Sequence, residues 1–94
     1  MKRKRMKTGI EQIAEERNKQ INKHGYTIKQ DSGYTNKELL KAAQAYLNTC
    51  LFDSFVGRNN WPWDISTFHD DGYVENLKKV GAFIAAELDR INLN

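Results

Sequence analysis

The stretch Tyr73-Val74-Glu75-Asn76-Leu77-Lys78-Lys79-Val80-Gly81-Ala82-Phe83-Ile84-Ala85-Ala86-Glu87-Leu88-Asp89-Arg90-Ile91 decides the fold class. Val74, Leu77, Gly81, Ile84, Leu88 and Ile91 recur at alternating steps of three and four. That spacing puts them on one face of a helix, and the run is too long for a strand. A helix over 73–91 is predicted, capped by Asp70 or Asp71, with this stripe turned to the core. Gly81 in a helix interior costs about 1 kcal/mol against alanine, so a packing reason is expected. Ala82, Ala85 and Ala86 beside it would let a second helix approach closely.

Two further helices follow from the same rules. Thr35 and Glu38 have capping-box spacing and open a helix over 36–51. Its expected inner face carries Leu39, Ala43, Tyr46, Leu47 and Cys50, widened by Leu40, Ala42 and Leu51. Thr8 and Glu11 form a second box, opening a helix over 9–24 whose shared face holds Ile10, Ile13, Ala14, Arg17, Ile21 and His24. Gly25 stops it. Residues 26–34 read as a loop. The chain is therefore expected to be all-α: a basic flexible arm over 1–8, then a small three-helix domain over 9–94. An aromatic-rich irregular segment joins helices 2 and 3. Three helices of this size make a thin core, which predicts a homo-oligomer.

Composition narrows the rest. Ninety-four residues leave room for one domain, and 39% hydrophobic against 29% charged residues describes a foldable chain. No apolar run reaches the roughly 18 residues of a membrane span. The net charge of +3 belongs to the arm: five of the fifteen Lys and Arg lie in the first seven positions. Residues 8–94 keep ten bases against twelve acids, a net of −2. Such an arm either touches phosphates or is a solvated tail. One cysteine, Cys50, permits neither an internal disulfide nor a cysteine-cluster zinc site, fits a reducing cytoplasm, and falls on a core face.

Chemistry concentrates between Leu51 and Phe68, which hold five of the ten aromatics. Pro62 pushes Trp61 towards an extended conformation, so Trp61 and Trp63 are expected to point the same way. Two indoles on one side either stack on a flat ligand or close the core as a lid, with Asp64 capping a short helix at 65–69. Arg17, on the apolar stripe of helix 1, needs an anion: Asp31, Asp64, a neighbouring subunit's carboxylate, or a ligand phosphate. Gln20 can add an amide contact. Glu11 and Glu15, with Glu87 and Asp89, lack the spacing by which all-α nucleotide pyrophosphohydrolases hold magnesium. His24 and His69 lack zinc-ligand spacing. Neither a Gly-rich phosphate loop nor a nucleophile elbow is present. No catalytic residue, metal or cofactor is expected, and the chain is read as not an enzyme.

Glu16-Arg17 with Gln20-Ile21 leading to Gly25-Tyr26, Ala42-Ala43 with Tyr46, Trp61-Pro62-Trp63-Asp64, and Val80-Gly81-Ala82-Phe83-Ile84-Ala85-Ala86-Glu87-Leu88-Asp89-Arg90-Ile91 together resemble a family of short phage and prophage proteins of no established activity. The match covers nearly everything after residue 9. Lys19 stands where that family has a second arginine, and Gln30-Asp31-Ser32-Gly33-Tyr34 replaces its acidic-histidine loop. The resemblance implies a viral protein working in the cytoplasm of a host bacterium.

The expected function is binding without chemistry. A nucleotide-like small molecule would be sequestered, as a sponge for a host immune signal, with Trp61 and Trp63 stacking, Arg17 and Lys79 on phosphates, and Gln20, Asp31 and Asp64 as polar contacts. The alternatives are a module that inhibits a host protein through the aromatic segment, and a nucleic-acid accessory protein acting through the arm.

Overall fold

The computed structural model describes residues 6–23 and 33–92. His24, Gly25, Asp31, most of the expected 26–34 loop and the arm up to Arg5 lie outside them. The described residues form four α-helices and two short 3-10 turns, with no strand: α1 (Gly9–Lys23), α2 (Glu38–Leu51), a single-turn α3 (Ser54–Gly57), turns at Arg58–Asn60 and Ile65–Thr67, and α4 (Tyr73–Asn92).

Capping explains where the helices start. At α1 the Thr8 box forms in both directions: the Thr8 N–H donates to Glu11 Oε1 at 2.9 Å, and the Glu11 N–H donates to Thr8 Oγ1 at 3.2 Å. The box expected at Thr35 does not form. The Glu38 carboxylate takes the Asn36 N–H instead, at 2.7 Å, and Lys37 sits in the left-handed region at φ 65°, so α2 begins two residues late. At α4 neither acid caps alone. Gly72, at φ +93°, accepts the Asn76 N–H, and Asp70 Oδ1 accepts the Gly72 N–H at 3.1 Å.

α4 is the hub. α2 runs antiparallel to it: the Cys50 thiol donates to the Tyr73 carbonyl at one end, and Glu38 acts electrostatically on Arg90 at the other. α1 runs alongside in the same direction as α4, Ile13 meeting Gly81 and Arg17 meeting Asp89. A Cβ on residue 81 would lie 2.5 Å from Ile13 Cδ1, which is the packing reason for that glycine.

Burial bears out most of the face expected of α2, divides that of α1 and inverts that of α4. In α4 the buried residues are Asn76, Ala82, Phe83, Ala86 and Glu87, while Val74, Leu77, Ile84, Leu88 and Ile91 are exposed. In α1 Glu16, Arg17 and Gln20 are buried and Ile10 and Ala14 exposed. In α2 Leu39, Ala42, Ala43, Ala45, Tyr46 and Thr49 are buried, whereas Leu47 faces outward and Cys50 is half-buried. The helices exist as the periodicity says, but the long apolar stripe of α4 turns outward except where Ile13 of α1 meets Gly81. The core is aromatic and small-residue instead: Tyr46, Trp61 and Phe83 over alanines, with Leu39 the one buried Leu, Ile or Val among the described residues.

The connecting segment supplies that aromatic core. Trp61 is extended (φ −64°, ψ 125°), as a residue before proline should be. The chain then turns, and the indole N–H donates to Thr67 Oγ1 at 3.0 Å and to the Asp64 carbonyl at 3.1 Å. Asp64 caps the turn as expected, accepting the Ser66 N–H at 2.9 Å, although the turn is a 3-10 segment ending at Thr67.

Candidate functional site: a cavity beside Gln20

A small hydrogen-bonded loop builds one wall. Asn76 is the pivot. Fully buried in the first turn of α4, its Nδ2 donates to Asp70 Oδ1 at 2.8 Å and its Oδ1 accepts the Asp71 N–H at 3.1 Å. The His69 N–H donates to the Tyr46 hydroxyl at 3.1 Å, tying the same loop to α2. Held this way, the loop offers the His69 carbonyl and the Asp71 carboxylate to the ammonium of Lys79. That ammonium also lies 4.8 Å from the centroid of the Tyr46 ring, a cation–π contact.

Between this loop, α1, α2 and α4 lies a half-open cavity of about 320 Å³. That volume falls within the range of small-molecule sites. Tyr46, Trp61 and Phe83 make its apolar wall; Glu16, Lys19 and Gln20 line it from α1; His69, Asp71, Glu75 and Lys79 complete it. Gln20 is 2% exposed, and its Oε1 has no hydrogen-bond partner. Leaving a buried carbonyl unpaired costs on the order of 1–3 kcal/mol, so such atoms are rare and ask for an explanation.

Glu16, Lys19 and Glu75 also line a second, more open cavity of about 560 Å³, where Lys7 and Lys78 join them. Each of its lysines meets a carboxylate: Lys7 with Glu15 at 2.5 Å, Lys19 with Glu16 at 3.3 Å, Lys78 with Glu75 at 2.9 Å. Of these pairs, Lys7–Glu15 is solvated on both sides and worth about 0–1 kcal/mol, whereas Lys19 serves the buried Glu16 and is costly to draw away.

Of the residues singled out from the sequence, Gln20, Trp61 and Lys79 come together in the first cavity. Arg17 does not line it. Its Nε and Nη2 point to Asp89 Oδ2 at 3.4 and 3.3 Å, a carboxylate outside the expected set. Trp63 lies behind Trp61, its ring at 83° to it and 5.2 Å away, and leans on Tyr34. The indoles thus form a corner and not a common platform, because the turn after Pro62 rotates one against the other. Asp64 is exposed and spends its carboxylate on its turn; Asp31 lies outside the described residues. Glu16, Tyr46, Asp71, Glu75 and Phe83 are site residues that the sequence did not single out. The one available signal was Glu16 and Gln20, four apart on the polar face of α1.

No group of three or more His, Cys, Asp or Glu able to hold a metal ion occurs among the described residues, and no helix is long and apolar enough to cross a membrane. The Cys50 thiol is pushed up by burial and by the Asp70 charge, which keeps it protonated and a weak nucleophile.

The Asp70 carboxyl is held below the usual value by the Asn76 side-chain amide, then the Gly72 N–H, with a smaller pull from Lys79. A depressed folded value contributes stability above the unfolded value, lost as pH falls through the folded one. Wild type is therefore expected to lose thermal stability below about pH 4 more steeply than Asp70→Asn, which keeps an acceptor and removes the titration. Parallel acid limbs in unfolding scans from pH 5 to 2 would remove Asp70 from this account.

Comparison of the chain with family models, with curated proteins and with solved structures finds no match.

Proposed function

We propose that this chain is a phage protein that binds a nucleotide-derived small molecule without chemistry, sequestering a host immune signal in the bacterial cytoplasm. The observation that carries the reading is the Gln20 carbonyl, buried and unpaired beside an aromatic wall. A nucleobase is flat, apolar on its faces and rich in N–H donors at its edge. It matches a cavity that offers the Tyr46, Trp61 and Phe83 rings and one waiting acceptor. Phosphates attached to it would reach the adjoining cavity, where Lys7, Lys19 and Lys78 stand. The resemblance to phage proteins supplies the setting, and the abundance of outward aliphatic side chains supports self-association.

The test uses Gln20→Met, which keeps the shape and removes the amide. Unliganded protein should gain about 1 kcal/mol in urea unfolding, because a buried unpaired carbonyl is gone. The thermal shift that a panel of mono-, di- and cyclic nucleotides gives with wild type should fall at least tenfold in apparent affinity. Equal binding by Gln20→Met, or no nucleotide shifting wild type, would defeat the reading.

A second reading rests on Phe52 and Phe55, 68% and 74% exposed at the start of the aromatic segment. They suit an anchor for a host protein. Stoichiometric co-purification of one host protein, lost in Phe55→Ser, with no nucleotide shift, would favour it.

A further inference from the structure

The outward face of α4 is apolar from end to end. Val74, Leu77, Ile84, Leu88 and Ile91 keep 41–59% exposure, and they repeat at alternating steps of three and four once Gly81, which Ile13 of α1 covers, is counted between Leu77 and Ile84. That 3.5-residue period is the one by which a helix seats against another helix. On α2, which lies antiparallel beside it, Leu40, Leu47 and Leu51 are exposed at 41–63%. Both outward stripes lack charge.

We propose that the α2–α4 face is where two copies of this chain meet, their four helices packing as a bundle around a two-fold axis. The proposal rests on the self-association named above and gives it a surface. Three observations choose a second copy as the occupant. Eight large apolar residues keep 41–63% exposure, which leaves several hundred Å² of apolar surface, the order of the roughly 800 Å² each partner brings to a standard stable interface. The face is neutral, so two copies of a body with net charge −2 over residues 8–94 can meet there without setting like charges together. The monomer's own core holds a single buried Leu, Ile or Val among the described residues, so the missing aliphatic core is the one a bundle would create.

The experiment is light scattering after size exclusion on the full chain, wild type beside Leu88→Glu and Leu47→Glu. Both positions are already exposed, so the charge burdens only the interface. Wild type is expected at twice the chain mass, and both variants at the chain mass with unchanged far-ultraviolet circular dichroism. A monomeric wild type at about 50 μM would overturn self-association and the face together. A dimeric wild type whose two variants remain dimeric would overturn the face alone. Should both variants unfold, the melting temperature of wild type decides: a rise with concentration supports the dimer, and a flat response overturns it.

Discussion

Trp61→Ala is expected to leave the chain largely unfolded at 37 °C. The indole is 9% exposed and stands edge-on to Tyr46, Trp63, Phe68 and Phe83 at centroid distances of 5.2–6.1 Å. Truncating a buried tryptophan costs about 3–5 kcal/mol. Its edge-to-face pairs, worth about 0.5–1.5 kcal/mol each beyond area, place the loss at the upper end of that range. Loss of the indole also removes its hydrogen bonds to Thr67 Oγ1 and to the Asp64 carbonyl, which keeps the Thr67 hydroxyl and N–H as donors. Against a stability of about 5–15 kcal/mol, and a melting shift of about 4–8 °C per kcal/mol, a fall of more than about 15 °C follows. Differential scanning calorimetry reads it directly, and a shift under about 5 °C would show that Trp61 is a wall and not a core residue. The same result governs how binding is tested: this variant cannot separate stacking on a ligand from loss of the fold, which is why Gln20 is the better probe.

Gly57→Ala is expected to destabilise by about 3 kcal/mol or more, at the upper end of overpacking penalties. Gly57 closes α3 directly against α2. A Cβ there would overlap Thr49 Oγ1 and the Ala45 carbonyl oxygen, and lie 2.9 Å from the Thr49 nitrogen. Two of those three atoms are backbone, and Thr49 Oγ1 is itself bonded to the Ala45 carbonyl at 2.8 Å, so nothing can swing aside. Gly81→Ala differs, because the atoms it meets belong to the Ile13 side chain. Urea unfolding of the two variants should therefore rank Gly57→Ala well below Gly81→Ala. Equal midpoints would mean that α3 can lift from α2.

The helices were legible because periodicity and caps are local. Thr8 and Glu11 do what their spacing says. Which face turns inward was legible in α2, where Leu39, Ala43 and Tyr46 are buried as expected, but not in α4, which carries two seams of similar period. One is Val74 to Ile91; the other is Asn76, Val80, Phe83, Glu87 and Arg90. Hydrophobicity selects the first. The chain buries the second, since Asn76 holds the 69–72 loop and Glu87 pairs with Arg90 at 2.6 Å. Polar groups that satisfy one another can enter a small core, whereas an apolar stripe can wait for a partner. The site was legible in the same uneven way. Gln20, Trp61 and Lys79 stood out by residue type and position. Tyr46 read only as core and Phe83 lay off the expected stripe, and Arg17 is drawn off by Asp89, a pairing that spans 72 positions and leaves no local trace.

The same long reach shapes how the cavity comes into being. Its walls come from residues 16–20, 46, 61–71 and 75–83, and the contacts that fix its loop join His69 to Tyr46 across 23 positions. Closing a loop of that length costs more chain entropy than forming a local helical contact. No single helix pair carries all the walls, so the cavity exists only where the whole set of elements is in place. A ligand seated there would consequently slow the opening of the whole domain, not of one loop.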